Sequence, residues 1–526
     1  MARSLSQPAT RRRMLRTLGV LAATGAAGSL LAACGGAATI SATSSTGAAS
    51  PATASQATST SAATPSAAPA TSSSAVSSAS SASLASPAPA SAAASGTATA
   101  TEPASTTATT ASVSAAATTT ASSSATTASP GTAATLTFWA FGKTDPSYDA
   151  WVQRLADFQK AYPQSPVELT SLSYGDMLQK LPAVVAAGTP PNVAIWDSIL
   201  LPAAAARGVM QDISARAQQA GIGVGDYQPW CWAMVSLKGK LYGLPYSTDT
   251  RMIYVNTSHL QQAGIPTSAP KTLEEFTTIG QRLAVKSGQQ YARLGFFPWN
   301  DNWSPEGWGF LFGGSYYDAG QNRTTLDDPK IVAAFEWAAG VAGQVGYQAV
   351  QTFAGAHKGD LFTAQLLSCV IQSTSYLKTV AAAGPALSWT PWAPPPPQGV
   401  DRTSTFSGGF SAILPTGARN PDTSFELLRY LSDAAFQRIE IKTGRLPPLK
   451  AVAADPYWDT VDPRTKQFVN MLPNSHSLPV IPQINIFESE LPKAYTAVVS
   501  GQQPASQALG QANQVINAAI QANRIE

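Results

Sequence analysis

Apolar and polar positions fall into two clear rhythms after residue 135 and into hardly any before it. Leu136-Thr137-Phe138-Trp139 opens the patterned region as a short β-type run, and Trp151, Leu155 and Phe158 follow at helical spacing. Pro163 and Pro166 end that helix, and Val167-Glu168-Leu169 starts a second strand. Residues 174–187 predict a helix closed by Gly188, with Pro190-Pro191 beyond it. Asn192-Val193-Ala194-Ile195-Trp196 then reads as a buried strand. Strand, helix, strand, helix, strand is α/β order with a largely parallel sheet. Ligands on such sheets bind beyond the carboxyl ends of strands, which singles out 139–144 and 196–198. A second α/β unit follows, with strand-like runs at 252–255, 366–371 and 411–414 and helical ones at 273–285, 329–345 and 423–431. The last 25 or so residues predict an exposed terminal helix, and no internal repeat is visible.

Composition explains why the pattern starts so late. Between Cys34 and Lys143 the only charged side chain is Glu102, and 37–134 is almost entirely Ala, Ser, Thr, Pro and Gly. Few large apolar groups are available to offset the entropy of ordering, so a disordered, extended linker is expected over 34–134. Its root-mean-square reach is about 55 Å, from roughly 5–6 Å × √n. Ahead of it, Arg11-Arg12-Arg13 and Arg16 precede an apolar run from Thr17 to Ala33, the plan of an export signal over 1–33 with a twin-arginine character. That run is too short and too rich in Ala and Gly for a stable membrane span. Five of the chain's 33 basic residues are arginines of this leader; the 28 that remain face 30 acids, so the processed chain has no basic field for nucleic acid. About 390 residues are left to fold, more than one core usually spans, and two lobes are expected.

Reactive chemistry is sparse. Cys231 and Cys369 belong to no CxxC or Cys/His cluster; they read either as small buried hydrophobes or as a disulfide formed after export. His259, His357 and His476 are scattered among polar neighbours and read as solvated. No G-x-S-x-G, H-E-x-x-H or complete Walker A motif occurs, and Glu274-Glu275 point apart on one helix, unlike a glycosidase pair. An enzyme, a cofactor and a metal are all unexpected on this reading.

Two resemblances sharpen it. Leu31-Ala32-Ala33-Cys34 resembles a lipobox, which implies acylation of Cys34 and a lipid anchor on the outer side of a cell membrane, facing wall or periplasm. Tyr174-Gly175-Asp176-Met177-Leu178-Gln179-Lys180-Leu181 and Ala187-Gly188-Thr189-Pro190-Pro191-Asn192-Val193 resemble the Y-x-x-K-L…A-x-G-x-x-P-D-V pattern of the family 1 extracellular solute-binding proteins, with Asn192 where aspartate is usual. Gly208 to Ile213, Gly239-Lys240-Leu241-Tyr242-Gly243-Leu244-Pro245, Ile253-Tyr254-Val255-Asn256, Ala263-Gly264-Ile265 and Lys271 to Phe276 continue the likeness in order across 135–526. The resemblance implies a two-lobed periplasmic-binding-protein type II fold, with a hinge and a ligand cleft between the lobes. One lobe would hold 135–246 and 411–447, the other 251–402 and 448–526, with crossings at 246–250 and 403–409. It further implies a monomer that binds a carbohydrate and delivers it to the permease subunits of an ABC importer.

A sugar offers hydroxyls at its rim and apolar C–H faces, so aromatic rings with carboxylates and amides are the expected complement. Phe296 to Trp308 concentrates such groups in a Pro/Gly-containing stretch, where Trp299, Asn300, Trp303 and Trp308 are candidate contacts; a tryptophan-rich lobe core is the other reading. By the resemblance, Phe141 and Lys143 lie on a ligand loop, and so do Trp196 and Asp197, although Asp197 equally suits a helix cap. Ser375 and Tyr376 stand where the family carries a G-x-W, which makes Tyr376 a candidate substitute ring. Gly409 and Phe410 fall at the second crossing, and Phe487 and Glu488 on a late ligand-facing loop. Rival readings from other classes are a secreted glycoside hydrolase, which needs two opposed carboxylates, and a tethered sensor that needs no transporter.

Overall fold

The computed structural model describes residues 135–525 apart from Asn300. The export signal, Cys34 and the linker expected over 1–134 lie outside the described residues, as do Asn300 and Glu526. In chain order, the elements that shape the molecule begin with β1 (Leu136–Phe141), α1 (Tyr148–Ala161), β2 (Val167–Leu172), α2 (Tyr174–Ala186), β3 (Val193–Asp197) and α3 (Leu201–Ala206). They continue with β4 (Leu244–Thr248), β5 (Arg251–Asn256), α4 (Glu306–Leu311), α5 (Pro329–Val345), β6 (Cys369–Ser373), β7 (Trp389–Trp392), β8 (Thr405–Phe406) and β9 (Gly409–Ile413). The last are α6 (Pro421–Tyr430), α7 (Ala434–Glu440), β10 (Ser475–His476), α8 (Ile484–Val499) and α9 (Ala505–Gln521). No described helix is long and apolar enough to cross a membrane.

Five strands build the first sheet in the order β2-β1-β3-β9-β4. β1 runs parallel to β2 and β3, while β9 is antiparallel to β3 and β4. β3 is buried along its whole length, as a central strand covered on both faces must be, and its apolar run supplies what those faces need. Asn192, just ahead of it, locks the strand ends: its side-chain carbonyl accepts from the Thr137 amide at 2.9 Å, and its amide group donates to the Arg419 carbonyl at 2.7 Å and to Ser424 Oγ at 2.9 Å. The core of this lobe gathers Phe138, Trp151, Phe158, Ile195, Leu427 and Phe436.

β5 is the centre of the second sheet, antiparallel to β6 and β7. A larger core lies beside it, with Phe276, Trp308, Phe335, Phe487, Leu509 and Ile516. Several expectations shift here. The strand expected at 366–371 begins only at Cys369, because the Leu366 and Leu367 amides turn back onto the Leu361 carbonyl at 2.8 and 3.0 Å. The terminal helix α9, expected exposed, sinks Leu509, Ala512 and Ile516 into the core. His259, expected solvated, is buried beside Ser368 Oγ at 3.0 Å, and burial pulls its imidazole down to about 4. Cys231 and Cys369 are buried free thiols.

The chain passes between the lobes through three adjacent segments, giving the two-lobed α/β architecture. β4 ends at Thr248 and β5 starts at Arg251; β8 ends at Phe406 and β9 starts at Gly409. Leu446 forms the third, exchanging backbone hydrogen bonds with Thr248 at 2.8 and 3.0 Å. Thr248 Oγ1 also donates to the Gly408 carbonyl at 2.7 Å, so all three are tied side by side. Ile199 and Ala203, on the segment leaving β3, pack into the core of the second lobe.

Candidate functional site

The register of β9 decides what meets at the carboxyl edge of the first sheet. Phe410 lies opposite Asp197 and Gly409 opposite Thr248, so the start of β9 joins the ends of β3 and β4. Phe141 ends β1 at the same edge, and its ring packs 5.1 Å from Phe410 and 5.9 Å from Tyr174. Tyr174, at the start of α2, donates to Asp197 Oδ2 at 2.8 Å. The other Asp197 oxygen accepts the Ile199 amide at 2.9 Å, so this carboxylate both supports the turn after β3 and holds the phenol. Arg445 lies beneath, with its guanidinium carbon 4.8 Å from the Phe410 ring centre and Nη2 2.9 Å from Asp145 Oδ2. Three rings and the Asp197 carboxylate, itself 1% exposed, therefore share one edge, and rings with a carboxylate are the complement of a polyhydroxylated ring with apolar faces.

On the side of the second lobe, Arg251 is the organising group. Its Nε donates to the Asn302 carbonyl at 2.6 Å and to Asn302 Oδ1 at 3.0 Å, and its Nη1 donates to Asp249 Oδ1 at 2.8 Å and to the Phe406 carbonyl at 2.7 Å. The guanidinium carbon sits 3.8 Å from the Phe406 ring centre. Arg251 thus ties the first two crossings to the tryptophan-rich stretch, which Asp301 folds by accepting the Trp303 and Ser304 amides at 3.0 and 2.7 Å.

Not all the residues singled out in the sequence come together. Phe141, Asp197 and Phe410 converge as described, with Lys143 exposed on the loop after β1. Trp196 faces inward at 2% exposure, within the first lobe's core. Trp308 is fully buried and its indole donates to Ser304 Oγ at 2.7 Å, so it is a core side chain rather than a ligand face. Trp303 is equally enclosed, wedged so tightly that a Cβ on Gly307 would lie 2.1 Å from its ring. Trp299 packs between Phe297 and Tyr347 at 5.2 and 5.3 Å. The indole N–H groups of Trp299 and Trp303 are buried without a partner among the described residues, as are those of Trp151, Trp196 and Trp230, so this state does not set them apart as ligand contacts.

Further corrections concern the second lobe. Phe487 and Glu488 lie on helix α8 instead of a loop, and Phe487 is fully buried edge-on against Tyr316 at 5.7 Å. Tyr376 does not offer a stacking face: it is buried, edge-on to Tyr254 at 5.0 Å, and its hydroxyl donates to Asp360 Oδ1 at 2.6 Å. Ser375 is exposed, with Oγ 2.8 Å from Ser373 Oγ. Gly409 meets a packing need, since a Cβ there would lie 2.3 Å from the Ser247 carbonyl oxygen. Sequence reasoning missed Tyr174, Asp145, Arg251 and Arg445. Tyr174 carried a signal, as the first helical residue beyond a strand's carboxyl end. Arg445, 300 residues from its partner Asp145, carried none.

Comparison with known proteins agrees with this architecture. The family described as bacterial extracellular solute-binding protein matches residues 153–464. The galactooligosaccharide-binding protein of Bacillus subtilis is 22% identical over 383 residues, spanning 70% of this chain and 86% of that one. The solved structure of CpMnBP1 with mannobiose bound superimposes with a TM-score of 0.64 at 20% identity, covering 73% of this chain and 99% of that one. A cyclo/maltodextrin-binding protein complexed with maltotetraose gives 0.60 at 20% identity, with 74% and 98% covered.

Proposed function

This chain belongs to the bacterial extracellular solute-binding protein family, and from that premise we propose that it captures a saccharide between its lobes and delivers it to the permease of an ABC importer. The observation that carries the reading is the edge where Phe141, Tyr174 and Phe410 surround Asp197. Ring faces there suit the C–H face of a sugar, and the carboxylate suits its hydroxyls. The segments at 248–251, 406–409 and 446 act as the hinge, with the lobes split as the sequence suggests. Ligand touching both lobes favours the closed form, which the permease reads. Binding leaves the saccharide intact. Cys34 would be acylated and 34–134 would tether a monomeric receptor outside the cell.

The saccharides that similar proteins hold or are named for set the first panel: mannobiose, mannotriose, maltotetraose and lactose. Thermal unfolding of the full chain with each sugar tests the proposal. Stabilisation by one of them, with that sugar recovered uncleaved, is the expected result. Recovery of hydrolysed sugar, or no stabilisation by any saccharide, overturns it.

A further inference from the structure

One buried ionic cluster is used by nothing described so far. Arg445 Nη2 reaches both carboxylate oxygens of Asp145, at 3.1 and 2.9 Å, and its Nε lies 3.3 Å from Glu440 Oε1. Glu440 is 1% exposed and also accepts a hydrogen bond from Ser147 Oγ. Ser147 and Asp145 belong to the loop between β1 and α1, and the Asp145 carboxylate holds the Ser147 amide at 2.8 Å. The same guanidinium lies over Phe410, and the next residue, Leu446, is bonded to Thr248 through both backbone groups. One side chain therefore touches the loop after β1, a candidate ligand ring on the second crossing, and the crossing it belongs to.

Such a cluster is a poor way to stabilise a fold. Burying ionised groups costs about as much as their attraction returns, and apolar side chains of equal volume commonly do as well or better. What it does provide is geometry, because a guanidinium accepts a carboxylate in only a few planar arrangements.

We propose that Arg445 is a positioning residue of the saccharide site, holding the Phe410 ring and the loop at 142–147 in register with the crossing segments, with Glu440 as the competing carboxylate that sets how fully Asp145 is engaged. This rests on the reading of the carboxyl edge as the ligand face. The groups facing Glu440 are Arg445, Ser147 and Asp145, with Tyr246 from the sheet and Lys378 from the second lobe. Burial pushes the Glu440 carboxyl up to about 7, so it exchanges its proton near neutrality. Protonated, it leaves the guanidinium charge to Asp145 alone. Ionised, it is a buried charge that water entering under the loop would stabilise, an effect larger than the hold of Arg445 and the Ser147 hydroxyl, so ionisation loosens the loop.

Amide hydrogen exchange of the full chain, with and without mannotriose, separates this inference from the reading beneath it. Exchange of the peptide covering 142–147 should rise about ten-fold in Arg445→Met and less in Arg445→Lys, while the β5–β7 sheet stays unchanged. After correction for intrinsic rates, wild type should exchange faster in this loop at about pH 8 than at about pH 6, and Glu440→Gln should abolish the difference. Mannotriose affinity should fall in the same order as the loop loosens. Unchanged exchange in both Arg445 variants overturns the positioning role, whether or not sugar binds. A loop that loosens as expected in a wild type that binds no saccharide overturns the ligand reading instead. Arg445→Lys keeps the charge and so guards against a Met variant that fails to fold.

Discussion

The phenol of Tyr174 donates to Asp197 Oδ2 at 2.8 Å, joining the first residue of α2 to the last residue of β3. Both residues stand at the carboxyl edge of the sheet, and the second oxygen of Asp197 is already engaged by the Ile199 amide. Tyr174 therefore fixes the orientation of the carboxylate that would meet a ligand hydroxyl. Tyr174→Phe should weaken saccharide binding by up to about 1.5–3 kcal/mol, the value of a hydrogen bond to a charged group, as measured by titration calorimetry. The melting temperature should fall as well, because the Asp197 carboxylate that loses this donor is buried.

Asn192 gives a prediction about the fold itself. Its amide group donates to the Arg419 carbonyl and to Ser424 Oγ, so a carboxylate there would set an oxygen against a carbonyl oxygen. Asn192→Asp should lower stability by about 1–3 kcal/mol in urea unfolding, although aspartate is the residue usual in the family pattern. Unchanged stability would mean that the pairing with Arg419 is not made as described.

Trp308 and Phe487 test the division between core and site. Both are fully buried in the second lobe. Trp308→Ala and Phe487→Ala should each cost about 3–5 kcal/mol of stability. The folded fraction should bind saccharide with wild-type affinity, which equilibrium titration below the melting range checks.

Glu440 sets a pH dependence of stability. Its carboxyl stands at about 7 in the folded chain, against an ordinary value of 4.5, so between these values the folded state holds a proton that the unfolded state has released. Its contribution to stability is therefore complete below about pH 4.5 and is lost as pH rises through about 7. The loss is on the order of 3 kcal/mol relative to Glu440→Gln. Urea midpoints of the two proteins across this window should diverge toward neutral pH; parallel profiles would contradict the burial of the carboxylate.

How much of this could be read from sequence varies from residue to residue. The helix at Tyr174, the buried run ending at Trp196 and the strand at Ile253 are local patterns, and each element formed within a residue or so of where its period and caps put it. Rings were harder to assign. Trp308 and Phe487 have the same composition and neighbours whether they face a ligand or a core, and only the packing of α4 and α8 against α5 settles the matter. Phe487 was also misplaced because a loop was expected where Ile484 in fact begins a 16-residue helix. Arg445 with Asp145, and Arg251 with Asn302, join segments distant in sequence through single side chains, and no local period reports such a meeting.

On the proposed function, the edge around Asp197 receives an intact saccharide. The most direct test is titration calorimetry of the best-stabilising panel sugar into the full chain and into its Asp197→Ala variant, with the sugar analysed afterwards. One site with a dissociation constant on the order of micromolar is expected in wild type, with at least ten-fold weaker binding in the variant and uncleaved sugar in both. Equal affinity in the two proteins would contradict the placement of the site, and cleaved sugar would contradict its function.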